Sequence, residues 1–348
     1  MSEPRRSAAR TWLLSGGLSA LAFGLLGFTI WKNRADLARV LRGPFDGHFF
    51  GLMALGFGVY MVALLLTFLR WFLLVRAQGT PFRLRDAIWL GFIGNLFNLV
   101  IPGAVGGDLV KLGFLFKMGM NKTQAAASLV IDRVLGLLGL FLLASLSGAR
   151  AWSAAGPEPR RLIVLIWAAL TAGLVGLAVL FTPALYAPLK RLVAGRGRLA
   201  AVADELESMA AAYRSRPGTV LGVLAMAVVI HSLYIVAFYA SGLALFRDYR
   251  IPPLADHFLI VPVVLFTTAA PLPFGALGVS EVASKQLFNL VHHPKGDLAM
   301  MGYRVLMYAA GVVCALVYLA KLGQVRTLAA KPEAEIRTPG PAPATVEG

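Results

Sequence analysis

Long apolar segments dominate this chain and restrict the folds that it can adopt. A helix needs about 20 mostly apolar residues to cross a bilayer. Six segments meet this requirement, and they span 11–31, 49–69, 123–147, 162–181, 219–245 and 298–320. The 348 residues are 58% hydrophobic and only 14% charged, whereas roughly a quarter of a soluble domain is charged. The sequence therefore predicts an all-α membrane protein, a polytopic bundle of transmembrane helices.

Two further apolar stretches, 86–117 and 256–290, are too long for one span, and proline and glycine interrupt each of them. The first break lies at 101–103 and the second at 271–275. Proline removes a backbone N–H and glycine relaxes the backbone. Non-helical backbone at membrane depth is tolerated only where protein or a water-filled cavity covers it. We therefore predict two re-entrant helical hairpins, each of which enters and leaves the membrane on one side.

The distribution of positive charge predicts the orientation. With both termini in the cytoplasm, the inside segments carry nearly twice as many lysines and arginines as the outside segments, as the positive-inside rule requires. This assignment counts Arg70 among the inside loop residues. We expect residues 1–10 to be cytoplasmic, 11–322 to form one transmembrane domain, and 323–348 to be a disordered cytoplasmic tail, because that tail is rich in Pro, Ala and Glu.

The surplus of basic residues, which gives a net charge of +16, has two interpretations. Nucleic-acid binding needs a basic face on a soluble domain, and no segment can form one, so we expect no nucleic-acid partner. Basic loops beside apolar helices are the ordinary membrane pattern. The inside loop 182–218 contains a helical pattern at 199–213 that follows a basic cluster at 190–198. This segment is either a cytoplasmic helix near anionic headgroups or a helical linker with a solvated face.

The two breaks share a pattern that suggests an internal repeat. In each, a proline is followed by Gly-x-x-Gly, then a carboxylate, then a lysine three or four residues later. The carboxylates are Asp108 and Glu281, and the span after each contains one arginine, Arg133 or Arg304. Because the predicted hairpins enter from opposite sides, this pattern is typical of an inverted-topology repeat. Chance similarity is the alternative, since Gly-x-x-Gly often indicates only close helix packing.

Charged residues inside the membrane segments are the candidates for function, because each costs at least about 2.5–3.5 kcal/mol near the bilayer centre. If each carboxylate pairs with the following arginine, the charges only pin a hairpin to its neighbour. If the arginines face a polar cavity, their guanidinium groups suit a phosphate, and helix N-termini add N–H donors. These interpretations are compatible. The predicted headgroup-binding residues are Asn98, Gly107, Asp108, Lys111, Asp132, Arg133, Gly275, Gly278, Glu281 and Arg304.

The sequence contains no motif of an enzyme or a metal site. There is no Gly-x-Ser-x-Gly, no His-Glu-x-x-His and no nucleotide-binding loop. The five histidines show no metal-ligand spacing, and Cys314 is the single cysteine. We therefore expect no catalytic residues, no metal and no cofactor. We expect His231, which lies in an apolar helix, to be a hydrogen-bonded core residue rather than a proton carrier.

The charged motifs, in this order along the chain, resemble those of a known family. Residues 98–111, followed by the acidic-Arg pair at 132–133, resemble the transmembrane region of lysylphosphatidylglycerol synthases and of related stand-alone flippase-like proteins. The later family motif, Pro-x-Pro-x-Gly-x-x-Gly-x-x-Glu, is matched at 271–281, and the arginine of the last helix is matched by Arg304. Lys111 stands where the family usually has arginine, and a lysine cannot make the same bidentate contact.

This resemblance covers about residues 11–322 and implies a lipid-handling protein of the inner membrane. The 26 residues after position 322 leave no room for the soluble aminoacyl-transfer domain of the full synthases, so we do not expect an enzyme. The resemblance implies translocation, or binding and presentation, of an anionic lipid, either a phospholipid or a polyprenyl-phosphate-linked lipid.

Two alternatives to a lipid translocator remain open. The first is a non-transporting scaffold that docks a glycosyltransferase or a lipid-modifying enzyme through 182–218. The second is an intramembrane lipid transferase with Asp108 or Glu281 as the base.

Overall fold

Helices account for all the regular structure in the part of the chain that the computed structural model describes, which is residues 45–100, 106–195, 197–246, 250–268 and 276–324 with isolated positions before residue 45. The helices are α1 (Gly47–Ala77), α2 (Leu84–Val100), α3 (Gly106–Lys117), α4 (Lys122–Ala151), α5 (Pro157–Phe181), α6 (Pro183–Val193), α7 (Arg198–Arg214), α8 (Pro217–Leu245), α9 (Leu254–Thr268), α10 (Val279–Asn289) and α11 (Gly296–Ala320). No strand occurs in these ranges, and the all-α prediction is confirmed.

Five helices are long and apolar enough to cross a membrane: α1, α4, α5, α8 and α11. They correspond to five of the six predicted spans, and the polytopic helical bundle is confirmed. Most of the sixth predicted span, 11–31, falls outside the described residues, as do both proline–glycine breaks and the predicted disordered tail beyond residue 324.

The prediction that Arg70 belongs to a cytoplasmic loop was wrong. The apolar pattern weakens after residue 69, but the helix breaker comes only at Gly79, whose backbone φ is +79°. Helix α1 therefore continues to Ala77. Arg70 lies inside this helix and is buried.

Each predicted hairpin is a pair of short helices that pack against each other, α2 with α3 and α9 with α10. The longest of the four has 17 residues, which at about 1.5 Å per residue is shorter than the ~30 Å hydrocarbon core. In the first pair the legs touch, because a Cβ added to Gly107 would lie 1.8 Å from the Gly94 carbonyl oxygen. Both stretches are thus helix pairs, and their re-entry from one side stays a prediction.

The fold consists of two halves with the same order of elements. In the first half, the long helix α1 leads into α2 and α3 and then into the long helix α4. In the second half, α8 leads into α9 and α10 and then into α11. The packing is also reciprocal: α2 packs on α11 as α9 packs on α4, and α3 packs on α4 as α10 packs on α11.

Helices α1 and α8 form the central contact between the halves and run antiparallel. The rings of Tyr60 and Tyr234 lie 5.1 Å apart, and a Cβ added to Gly56 would lie 3.4 Å from Ala240 Cβ. The numbering therefore rises along α1 as it falls along α8. Equivalent helices that run in opposite directions are the geometry of an inverted-topology repeat. The repeat also includes α1 and α8, which the sequence pattern did not place in it.

Helices α5, α6 and α7 connect the two halves. Helix α7 contains the helix expected at 199–213, and it is anchored to the body of the protein. Tyr213 is buried; its hydroxyl donates to the Leu74 carbonyl at 3.2 Å and accepts from Gln78 Nε2 at 2.8 Å. The segment is thus docked on the end of α1.

Ion pairs hold α6 against α7. Lys190 Nζ lies 2.8 Å from Asp204 Oδ1 and 2.6 Å from Glu207 Oε2. Hydrogen bonds to these two carboxylates raise the pKa of Lys190. The two helices of the 182–218 segment therefore form one unit.

Candidate functional site

A cavity of about 380 Å³ lies where the two halves of the repeat meet. Its wall includes residues of α1, α2, α4, α8, α9 and α11, so both halves contribute. The polar and ionisable residues that line it are Tyr60, Arg70, Asn95, Asn98, Asp132, Arg133, His231, Tyr234, Thr268 and Tyr303. A polar cavity with two arginines, enclosed by apolar helices, is the feature of this fold most suited to binding an anion.

Arg133 forms the predicted pair with Asp108 and joins α4 to the first turn of α3. Its Nε and Nη2 both donate to Asp108 Oδ2, at 2.9 and 2.8 Å. The side chains are 41% and 18% exposed, so this pair is partly open. The position of Asp108 near the N-terminus of α3 favours its negative charge.

A second ion pair in the cavity wall, between Arg70 and Asp132, joins α1 to α4. Arg70 Nε lies 2.8 Å from Asp132 Oδ1, and Nη2 lies 3.1 Å from Oδ2. The guanidinium packs against Gly136, where an added Cβ would lie 3.2 Å from both terminal nitrogens. Asp132 was among the predicted site residues and Arg70 was not. Extending the first predicted helix to the helix breaker Gly79 would have placed Arg70 among the charged residues of the membrane segments.

His231 and Asn98 have structural partners in the same wall. His231 Nε2 donates to the Gly136 carbonyl at 3.0 Å, as expected of a hydrogen-bonded core residue. Asn98 Oδ1 accepts from the Gly107 N–H at 2.8 Å and so ties the two legs of the first hairpin together. Asn98 also lines the cavity, whereas Gly107 forms the tight contact between the legs.

The equivalent residues of the second half form a closed cluster away from the cavity. Glu281 is paired with Arg304, and their side chains are only 0% and 4% exposed. Glu281 Oε2 also accepts from the Gly278 N–H at 2.7 Å, and Arg304 Nη2 donates to Ser280 Oγ at 2.6 Å. Gly278 has a φ of +82°, which favours glycine. These contacts occupy the groups that the sequence had suggested for a ligand.

In this structure Arg133 and Arg304, two of the predicted headgroup-binding residues, lie in different surroundings. Arg133 lines the central cavity, but Arg304 and Glu281 are not among its described lining residues. The physical reason is that Glu281 caps the N-terminus of its own helix and neutralises Arg304 in the interior. Gly275, another predicted site residue, lies outside the described residues.

A comparison with protein-family models decides the family. The model described as the lysylphosphatidylglycerol synthase TM region matches residues 10–315. The chain belongs to this family. The match spans nearly all the described helices, and the chain is a multi-pass membrane protein. Searches of curated proteins and of solved structures gave no match.

One site residue departs from the pattern of the lysylphosphatidylglycerol synthase TM region, and the structure places it beside the first ion pairs. Lys111 is buried; its ammonium lies 4.7 Å from the centre of the Trp71 ring, a cation–π distance. Its stem packs against Gly94, where an added Cβ would lie 2.6 Å from Lys111 Cε. Lys111 is thus packed between α1 and α2 and does not line the cavity.

The ion-pair cluster around Arg133 in the first half and the cluster around Arg304 in the second half differ in their numbers of basic and acidic residues. The first cluster has three cations and two carboxylates: Arg70, Lys111 and Arg133 with Asp108 and Asp132. The second has two of each, because Lys285 Nζ lies 2.8 Å from Asp297 Oδ2 beside the Glu281–Arg304 pair. The first cluster therefore has one more basic residue than carboxylates, the buried Lys111, whereas the second has equal numbers of both.

Proposed function

We propose that this protein binds the anionic headgroup of a lipid in the central cavity and moves it between the leaflets. The observation that carries the proposal is the exposure of Arg133, whose side chain is 41% exposed at the cavity, whereas the side chains of the other ion pair in the wall, Arg70 and Asp132, are 6% and 15% exposed. Its counter-ion, Asp108, is itself partly exposed. The lipid class is a phospholipid or a polyprenyl-phosphate-linked lipid.

The chemistry of the site matches a phosphate. A guanidinium has five N–H donors in a planar fork that suits phosphate oxygens. Asp108 holds this fork through one oxygen atom, Oδ2, and can yield to a stronger multidentate acceptor. Arg70 supports the site by holding Asp132, the neighbour of Arg133 in sequence.

The inverted repeat supports movement in addition to binding. Alternating access in repeat-built transporters arises when the two halves exchange conformations around a central site. Here the first half has an open charged cluster and the second a closed one. We propose that the opposite state closes Asp108–Arg133 and opens Glu281–Arg304. Exchange down a lipid gradient in this way needs no nucleotide.

We also propose that the protein is not an enzyme. Both carboxylates considered as bases, Asp108 and Glu281, are bound to arginines. The carboxylate oxygens that a base would offer to a substrate are therefore engaged by guanidinium groups. This arrangement favours binding over lipid transfer chemistry.

A lipid-retention experiment tests the binding step. Purified protein is exchanged into detergent with equal phosphatidylglycerol and phosphatidylcholine, and the bound lipid is quantified by native mass spectrometry. We expect wild type to prefer phosphatidylglycerol, Arg133→Gln to lose at least about tenfold in this preference, a difference of about 1.4 kcal/mol, and Arg133→Lys to be intermediate. Arg161→Gln, in the exposed pair with Glu158, is the matched control. Folded Arg133→Gln with the wild-type preference would refute the proposal.

A scaffold that docks a partner enzyme is the second candidate function, and exposed apolar residues on α6 and α7 favour it. Leu192, Leu199 and Val202 are all exposed. The partner would be a glycosyltransferase or a lipid-modifying enzyme. The Leu199→Ser/Val202→Ser variant should then lose the co-purifying enzyme while its lipid preference stays unchanged. Unaltered co-purification would count against the scaffold.

A further inference from the structure

Two cavities of nearly equal size lie at the bases of the two hairpins. The hairpin-1 vestibule, about 730 Å³, is lined by Arg83, Arg85, Asp86, Trp89 and Met118, with Gly323 and Gln324. The hairpin-2 vestibule, about 720 Å³, is lined by residues that include Arg150, Asp256, Phe258, Val291 and His292. Neither contains a residue of the central cavity.

The two vestibules occupy equivalent positions in the repeat. Each vestibule is formed by the start of the first leg of a hairpin and the end of its second leg. The third part of the wall is the chain at the C-terminal end of the long helix that packs on the hairpin. That helix is α11 for hairpin 1 and α4 for hairpin 2. Helix α2 begins just after α1 ends, and α9 begins just after α8 ends. Because α1 and α8 run antiparallel, the vestibules lie at opposite ends of the bundle.

Their charges differ although their positions correspond. In the hairpin-1 vestibule, Arg83 and Arg85 are exposed, and neither guanidinium makes an ion pair or a side-chain hydrogen bond within the described part of the chain. Asp86 is the one carboxylate, and its Oδ1 accepts from Trp89 Nε1 at 3.1 Å. The hairpin-2 vestibule has one arginine and one carboxylate, Arg150 and Asp256. Only the hairpin-1 vestibule therefore has a surplus of positive charge among its arginines and carboxylates.

Apolar groups beside these arginines indicate a lipid rather than a soluble anion. Leu84, between the two arginines, is 42% exposed, and Met118 on the other leg is 39% exposed. At the base of a membrane hairpin, such arginines can bind a lipid headgroup while the apolar side chains beside them contact its acyl chain.

We propose that the hairpin-1 vestibule is a peripheral binding site for the headgroup of an anionic phospholipid, from which lipid is loaded into the central cavity. This inference deepens the proposed function and rests on it for the loading step. The neutral hairpin-2 vestibule does not select for charge, so loading is preferred from the end of the bundle where hairpin 1 begins. Arg83 and Arg85 supply the selectivity.

A quenching experiment in proteoliposomes tests the site. A fluorophore on Met118→Cys, in a Cys314→Ser background, reports the approach of phospholipids with a spin label on the headgroup. We expect phosphatidylglycerol to quench at about 25-fold lower mole fraction than phosphatidylcholine, since each of the two arginines near an anionic lipid contributes about a fivefold preference. Arg83→Gln/Arg85→Gln should abolish the preference. Arg150→Gln, the matched change in the other vestibule, should leave it intact.

The outcomes separate this inference from the proposed function. Equal quenching by the two lipids, or a preference that survives Arg83→Gln/Arg85→Gln, overturns the vestibule site. Loss of the preference in millimolar inorganic phosphate at constant ionic strength also overturns it, because the arginines would then bind the free anion in preference to the lipid. Arg133→Gln should keep the quenching preference while losing leaflet exchange. If exchange persists in Arg133→Gln but the quenching preference holds, the proposed function fails and the peripheral site stands.

Discussion

Arg70 and Asp132 form a two-bond ion pair that joins α1 to α4, with N–O distances of 2.8 and 3.1 Å. The next residue, Arg133, joins the same helix to α3 through Asp108. Two adjacent residues of α4 therefore tie it to two different elements of the first half. A movement of hairpin 1 that breaks the Asp108–Arg133 pair would therefore pull on α4 at the residue next to the Arg70–Asp132 pair.

Removing one member of the Arg70–Asp132 pair should destabilise the fold more than removing both. Arg70→Met leaves the Asp132 carboxylate, which is only 15% exposed, without its partner, and we expect this to cost about 3 kcal/mol. In the double variant Arg70→Met/Asp132→Leu no charge is left unpaired, so much of this loss should be recovered. Denaturant unfolding in detergent measures both. If the double variant is as unstable as the sum of the single variants, the two side chains are not coupled.

The contact between the legs of hairpin 1 should tolerate no side chain. Gly107→Ala places a Cβ 1.8 Å from the Gly94 carbonyl oxygen, and because backbone cannot move aside cheaply, we expect a loss of about 1–3 kcal/mol. Gly113→Ala, in the same helix with open space around it, should be neutral or slightly stabilising. Thermal unfolding compares the pair. Equal melting temperatures would mean that the legs do not touch here.

The two arginines of the repeat should respond differently to the same substitution. Arg304→Gln removes a charge from an interior pair and leaves Glu281 buried alone, at a cost of about 3–5 kcal/mol. Arg133→Gln acts on a partly exposed pair and should cost less stability, while it reduces the headgroup preference of the cavity at least about tenfold. Melting temperatures and lipid retention, measured on both variants, give the comparison. Greater instability of Arg133→Gln would contradict the difference in burial.

The anchoring of α7 should depend on one hydroxyl group. Tyr213→Phe loses its hydrogen bonds with Gln78 and with the Leu74 carbonyl, at a cost of about 1 kcal/mol. Limited proteolysis should then cut the 194–216 region several times faster. Tyr308→Phe, at an exposed position of α11, is the control. An unchanged rate in Tyr213→Phe would show that apolar packing alone holds the helix.

Hydropathy was sufficient to predict the membrane-spanning helices, and the cost of charge inside a membrane was sufficient to predict the ion pairs. The lengths of the apolar segments predicted α4, α5, α8 and α11, because such a segment satisfies its own backbone hydrogen bonds in a bilayer only as a helix. The Asp108–Arg133 and Glu281–Arg304 pairs followed from the cost of unpaired charge. Most of the first span, 11–31, and Gly275 fall outside the described residues.

The sequence did not indicate which charged side chains are enclosed by neighbouring helices and which line the cavity. Arg133 and Arg304 follow their carboxylates at similar spacings, 25 and 23 residues, yet Arg304 is enclosed because Ser280 and the Gly278 N–H complete its cluster. Arg70 was missed because polarity near a helix end resembles a loop until the helix breaker is found. The central contact of α1 with α8 depends on packing between residues far apart in sequence, which no local pattern reports.

Leaflet exchange of fluorescent phosphatidylglycerol in proteoliposomes tests the central claim most directly. Protein-dependent exchange, followed by chemical quenching of the outer leaflet, should be faster for phosphatidylglycerol than for phosphatidylcholine. Arg133→Gln should slow it at least about tenfold, the effect of about 1.4 kcal/mol, and Arg161→Gln should not. Exchange at the wild-type rate by folded Arg133→Gln would contradict the account, because the guanidinium at the cavity would then carry no headgroup.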